Sequence, residues 1–212
     1  MITKRIHHHG KSLYHSDNRT DKKNDMQKII ITAFLLISLT SAGGLEDWDN
    51  SMFEQIHQRW RCNFSEIYFP NVTYLGDTRF YLSANLALLA FGDEKLKESA
   101  KLASIGLAAS MLTTQVLKCA VGRKRPEDPD CSRCDSSFPS GHTTALFTMA
   151  YVYGAQYPKL RIPLYALAVS VGLSRIYLGE HYPTDVIAGA VIGTAGGIAV
   201  IETKDFIISI GF

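Results

Sequence analysis

The sequence predicts an all-α protein: a bundle of about six helices, transmembrane, with an active site at its periplasmic or outer end. Three observations predict it. Apolar residues collect into six long runs without a charge. Lysine and arginine concentrate in alternate connections between those runs. Three segments carrying ionisable groups all fall on the same side of the resulting bundle. A net charge of +2 over 212 residues gives no general attraction to nucleic acid, so no nucleic-acid partner is expected.

Residues 1–25 are polar and charged and read as a disordered leader, with Met26 an alternative start. The triple histidine at His7, His8 and His9 belongs to that leader and is weak evidence for a metal. The first run, Ile29–Leu45, has 17 uncharged residues. Lys28 before it and the small residues Ser38–Gly44 at its end fit a secretory signal cleaved after Ala42. They fit a first anchoring helix equally well, so 26–45 is either. The remaining runs are Phe80–Gly92, Leu102–Leu117, Thr143–Tyr157, Ile162–Ser174 and Val186–Ile201. Each is too long for a typical strand and suits a helix. A spanning helix needs about 20 apolar residues, and runs of about 10–14 also occur as core helices, so length alone leaves a soluble bundle open. In the last run Gly189, Gly193 and Gly197 form two G-x3-G steps, which let helices pack closely. Residues 204–212 are a C-terminal tail.

Either reading of the first run leaves residue 45 outside the cytoplasm. Alternation then places Lys95, Lys97, Lys101, Lys159, Arg161 and Lys204 on the inner side, as the positive-inside rule favours. Lys118, Arg123, Lys124 and Arg125 fall outside against that rule and need another reason. In "DWDNSMFEQIHQRW", Trp48, Phe53, Ile56 and Trp60 approximate a helical stripe. It suits a membrane interface or ordinary packing on the bundle.

Three outer segments carry chemistry. "KCAVGRKRP" places Lys118 and Arg125 seven residues apart, about two helical turns, where two cations invite an anion. "PSGH" reads as a helix start: Ser140 can cap, Gly141 lets a ligand approach the backbone, and free first-turn amides bind anions. His142 stands beside that anion. "SRIYLGEHYPTD" supplies Arg175, whose planar fork suits phosphate oxygens, and His181 four residues before Asp185. Pro183 between them fits the first position of a helix. A carboxylate beside a histidine fixes its tautomer and leaves the other ring nitrogen as a nucleophile.

Taken together, these segments resemble the type 2 phosphatidic acid phosphatase (PAP2) superfamily, which includes bacterial acid phosphatases and vanadium haloperoxidases. Its three motifs, K-x6-RP, PSGH and SR-x5-H-x3-D, stand here in order as Lys118…Arg125-Pro126, Pro139–His142 and Ser174-Arg175…His181…Asp185. "YLGD" at Tyr74–Asp77 is similar to the family's second-helix entrance. The resemblance covers roughly 47–202 and implies a phosphatase domain over 46–203. It implies that His181 attacks phosphorus, Asp185 orients His181, and His142 protonates the leaving oxygen. Lys118, Arg125, Arg175, Ser140 and the Gly141 amide would hold the phosphoryl oxygens, with no metal and no cofactor. The implied function is metal-independent hydrolysis of lipid phosphates: phosphatidic acid, phosphatidylglycerol phosphate, an isoprenyl diphosphate or a lipid A phosphate. Its expected partners are that substrate and membrane lipids, and its expected location is the inner membrane, multi-pass, with the site facing the periplasm. A secreted periplasmic acid phosphatase with the same site is the alternative. A vanadium haloperoxidase is a third, for which the chain is short. Cys131 and Cys134 could form a small disulfide in the loop before PSGH, and the sequence leaves open whether they do.

Overall fold

A computed structural model describes residues 43–209. The leader, the triple histidine and most of the first apolar run lie outside the described residues. Among the described residues there are eight α-helices and no strand. They are α1 (Gly43–Glu54), α2 (Asn63–Val72), α3 (Thr78–Phe91), α4 (Glu94–Val121), α5 (Gly141–Gln156), α6 (Arg161–Tyr177), α7 (Pro183–Glu202) and α8 (Lys204–Ser209). Five of the predicted runs thus become α3 to α7. Lys204–Ser209 of the tail form the short helix α8.

Boundaries follow local chemistry. Asp77 Oδ1 accepts from the Arg79 amide at 2.8 Å and starts α3. Asp93 Oδ1 accepts from the Leu96 amide at 2.8 Å and starts α4. Gly122, with φ +65°, ends α4 in the left-handed conformation that glycine adopts at least cost. Pro183 begins α7, as expected.

Helix α5 is central. Leu146 and Ala150 join Ala168, Val171 and Ile176 of α6, with Phe69 and Val72 of α2, in one apolar cluster. Ala145, Met149 and Val152 pack with Leu102, Ala103 and Leu107 of α4 and Val200 of α7 in a second. The glycine stripe of α7 faces α5. A Cβ on Gly189 would stand 2.6 Å from the Ser140 carbonyl oxygen, and one on Gly193 2.3 Å from that of Thr144. Close backbone approach is therefore why glycine recurs there. On the opposite flank α5 meets α4 through hydroxyls: Thr114 Oγ1 donates to Thr144 Oγ1 at 3.1 Å, and Thr148 Oγ1 lies 3.0 Å from Ser110 Oγ.

The outward faces are apolar. Phe80, Leu86 and Phe91 of α3, Leu112 and Val116 of α4 and Ile162 of α6 are exposed. Helices α4 and α7 are long and apolar enough to cross a membrane. The N-termini of α5 and α7 and the C-termini of α4 and α6 meet at one end. Lys95, Lys97 and Arg161 stand in the first turns of α4 and α6, Lys159 in the turn between α5 and α6, and Lys204 just after α7, all at the opposite end. The stripe predicted around α1 divides: Ile56 is buried, while Trp48 and Trp60 are exposed.

Candidate active site

The site end is assembled by two turns and a loop. Lys118, in the last turn of α4, is buried, and its Nζ donates to the Ser136 carbonyl. Ser136 Oγ donates back to the Lys118 carbonyl at 3.0 Å. A disulfide between Cys119 and Cys134 ties the loop to α4. Arg133 adds bonds from Nε to the Cys119 carbonyl and from Nη2 to the Ala120 carbonyl, at 2.7 and 2.8 Å. The pairing left open between Cys131 and Cys134 does not form: the turn Arg133–Asp135 lays Cys134 against α4, and Cys131 is a free, buried thiol.

The loop leads through a cis Phe138–Pro139 bond into Ser140, whose amide donates to the Asp185 carbonyl at 3.0 Å. Ser140 occupies the position before α5 but makes no side-chain cap. Its Oγ instead accepts from Thr143 Oγ1 at 3.0 Å, which corrects the capping expectation. The first-turn amides, Gly141 included, have no intrahelical acceptor. A Cβ on Gly141 would meet Met111 at an ordinary 3.5 Å, so packing does not demand glycine there.

His142 follows, against the Thr73–Gly76 turn that carries "YLGD". A Cβ on Gly76 would stand 2.8 Å from His142 Cδ2. His142 is within electrostatic reach of Arg175, His181, Asp77 and Arg125. Asp77 is held at about 2 by hydrogen bonds from the Arg79 guanidinium and amide.

His181 sits in the turn between α6 and α7, 2% exposed. Its amide and that of Glu180 both donate to the Arg175 carbonyl, at 3.2 and 3.1 Å. Its Nδ1 faces Asp185 Oδ2 at 3.7 Å and has no closer partner. That distance is longer than a formed hydrogen bond, but the pairing leaves Nε2 as the ring nitrogen turned away from the carboxylate. Burial pushes the His181 imidazole below the ordinary histidine range, although Asp185 pulls it upward. Lys118 and Arg175 lie close enough to act in the same direction as burial.

Asp185 is fully buried and fully used. Oδ2 accepts from the Tyr182 amide at 2.8 Å, and Oδ1 accepts from Arg123 Nη1 at 2.9 Å. Arg123 in turn donates from Nη2 to Asp49 Oδ2 at 2.7 Å and lies over the Tyr182 ring at 4.0 Å. Asp49, on α1 and 2% exposed, also accepts from the Thr184 amide at 2.9 Å. Burial opposes the charge on Arg123, yet the two carboxylates overcome it and raise the guanidinium above its usual value. Asp49 and Arg123 thus fix the carboxylate that faces His181. Sequence reasoning missed both roles. Arg123 was visible only as one of a basic cluster, and Asp49 only as a polar position on an amphipathic helix.

Arg125 and Arg175 complete the cations at this end, joined through Glu180. Arg125 donates from Nη2 to Asp135 Oδ1 at 2.7 Å and from Nη1 to Glu180. Arg175 donates from Nη1 to Thr73 Oγ1 at 3.0 Å, and its buried Nε has no partner. The structure therefore brings Lys118, Arg125, Ser140, Gly141, His142, Arg175, His181 and Asp185 to one end of the bundle. The arrangement pairs a histidine backed by a carboxylate with a second histidine and three cations.

Comparison with known proteins accords with this geometry. The family model described as PAP2 superfamily matches residues 100–207. A lipid A 1-phosphatase of Rhizobium etli is 35% identical over 95 residues, 40% of this chain and 41% of that protein. The chain therefore spans about two-fifths of that relative's length. The crystal structure of a transmembrane PAP2 type phosphatidylglycerolphosphate phosphatase from Bacillus subtilis superposes with a TM-score of 0.70 at 23% identity, covering 85% of this chain and 96% of that one. That of LpxE from Aquifex aeolicus does so with a TM-score of 0.62 at 28% identity, covering 72% and 93%. The three motifs, the fold they share and the family match over half the chain place it in one group: the protein belongs to the PAP2 superfamily.

Proposed function

We propose that this protein is a membrane phosphatase that hydrolyses phosphate monoesters or diphosphates of lipids at the outer face of the membrane. The observation that carries the proposal is the meeting of His142 and His181 with Arg125, Arg175 and Lys118 at one end of an apolar bundle. Membrane placement is supported by the exposed apolar flanks and by α4 and α7. Orientation is supported by the lysines and arginines at the opposite end. The substrate class is supported by relatives named for lipid A and phosphatidylglycerol phosphate.

In the proposed reaction His181 Nε2 attacks phosphorus while the bond to the leaving oxygen breaks. His142 gives its proton to that oxygen. Negative charge spreads over the phosphoryl oxygens, where Arg125, Arg175, Lys118 and the free amides at Gly141 are worth most. The phosphate's own charge offsets the cations around His142, so substrate favours the protonated form that donates. Behind His181, two carboxylates face one Arg123 guanidinium. The positive charge that His181 gains as a phosphohistidine completes a neutral set of four groups. Water then attacks the phosphohistidine, His142 takes its proton, and inorganic phosphate leaves.

The test is phosphate release by the purified protein from phosphatidic acid, phosphatidylglycerol phosphate, an isoprenyl diphosphate, lipid A and soluble phosphates, with His181→Ala as control. Hydrolysis of a lipid phosphate, inhibited by vanadate and insensitive to EDTA, is expected. Turnover of soluble esters alone, with release from membranes by carbonate, contradicts the membrane reading. Strong EDTA inhibition contradicts the role given to the cations.

A further inference from the structure

Between the two site arginines stands a carboxylate that the proposed reaction does not use. Glu180 immediately precedes His181. Its Oε2 accepts from Arg125 Nη1 and lies 3.4 Å from Arg175 Nη2. One carboxylate oxygen thus bridges the two guanidinium groups that phosphoryl oxygens need. Glu180 is 38% exposed, against 15% for Arg125 and 11% for Arg175. Its side chain can therefore leave toward solvent without disturbing buried groups. The turn itself is held through its backbone, by the paired bonds of residues 180 and 181 to the Arg175 carbonyl.

We propose that Glu180 is a built-in competitor for phosphate: it neutralises Arg125 and Arg175 in the empty site and must swing aside when a phosphoryl group enters. The inference rests on the phosphatase reading of the site. Two guanidinium groups close enough to share one carboxylate oxygen repel each other and are costly to desolvate bare. A tethered carboxylate offsets that cost. The same contact lowers the fraction of molecules ready to bind, and so weakens every anion by one common factor. Free inorganic phosphate is kept out at modest concentration. A lipid phosphate, concentrated in the plane of the membrane, still enters.

The opposing role for Glu180 is alignment, in which it holds the arginines in the geometry that phosphate needs. The two roles predict opposite signs. Binding of inorganic phosphate and of orthovanadate to the intact chain in detergent is measured by calorimetry for wild type, Glu180→Gln and Glu180→Asp. Competition predicts that Glu180→Gln binds both anions about tenfold more tightly, or about 1.4 kcal/mol, by the same factor for each. Glu180→Asp, whose shorter carboxylate reaches the arginines less well, falls between and decides the matter if the glutamine variant does not fold. Equal or weaker binding in the variants overturns the proposal, as does no binding in any of the three proteins. Hydrolysis is read separately. A wild type that hydrolyses nothing while Glu180→Gln tightens binding refutes the phosphatase reading alone; hydrolysis without tightening refutes this inference alone.

Discussion

Helices α5 and α7 meet twice, on opposite terms. Along their length they touch backbone to backbone. A Cβ on Gly193 would stand 2.3 Å from the Thr144 carbonyl oxygen, and there is no room for it. At their N-termini the same helices present Gly141, where a Cβ would make only an ordinary contact, beside Ser140, Asp185 and the two histidines. The seam is governed by volume, and the tip by charge and hydrogen bonding. A substitution here should therefore damage either stability or chemistry, according to which end it touches.

The largest expected effect lies at the tip. His181→Ala should reduce turnover by about 10⁴-fold or more, since loss of a nucleophile removes the covalent route. The variant should keep its helix content and melting temperature. A residual rate within tenfold of wild type would remove His181 from the reaction.

Next comes Asp49→Asn, which is distant in sequence from every motif. Arg123 would lose one of its two carboxylates, and Asp185 would be held less well behind His181. A fall in kcat of about 10- to 100-fold with KM little changed is expected, because small misplacements of reacting groups are costly. Asp49→Glu should recover part of it. An Asp49→Asn variant that melts earlier but turns over normally would make the network structural only.

The seam should show the reverse pattern. Gly193→Ala should destabilise by about 1–3 kcal/mol, as overpacking does, seen as earlier thermal unfolding in detergent. Turnover of the folded fraction should stay within about twofold. Loss of activity without loss of stability would blur the distinction between the two ends.

The smallest effect is on pH. His181 must be neutral to attack, and burial lowers its pKa. The acidic limb of kcat/KM should therefore fall below the ordinary histidine value of about 6.5; the basic limb of the bell belongs to His142 in the substrate complex and is read from kcat. Asp185 favours the charged imidazole, so Asp185→Asn should move that limb lower still, besides slowing the reaction. A limb above about 7, or a flat rate from about pH 4 to 9, would contradict these roles.

How legible each end was in the sequence follows the same division. The seam could be read from the spacing of Gly189, Gly193 and Gly197, because four residues return a helix to nearly the same face. Helices α3 to α7 could be read from uncharged runs, and the gathering of the three motifs from their alternation. What could not be read was pairing across long separations. Asp49 meets Arg123 across 74 positions, and nothing local in α1 distinguishes its aspartate from a solvated one. Cys134 pairs with Cys119 rather than Cys131 because the loop folds back on α4, a tertiary matter that a C-x2-C spacing does not encode. Ser140 looked like a cap, but its hydroxyl goes to Thr143 while its amide goes to the Asp185 carbonyl.

The proposed reaction turns on His181 carrying the phosphoryl group. The direct measurement is acid-free quenching of the enzyme during turnover of a radiolabelled lipid phosphate, followed by mapping of the label. An acid-labile, base-stable phosphoramidate on His181 is expected in the wild type and is absent from His181→Ala. A wild-type protein that releases phosphate yet carries no label on His181 would contradict that reaction.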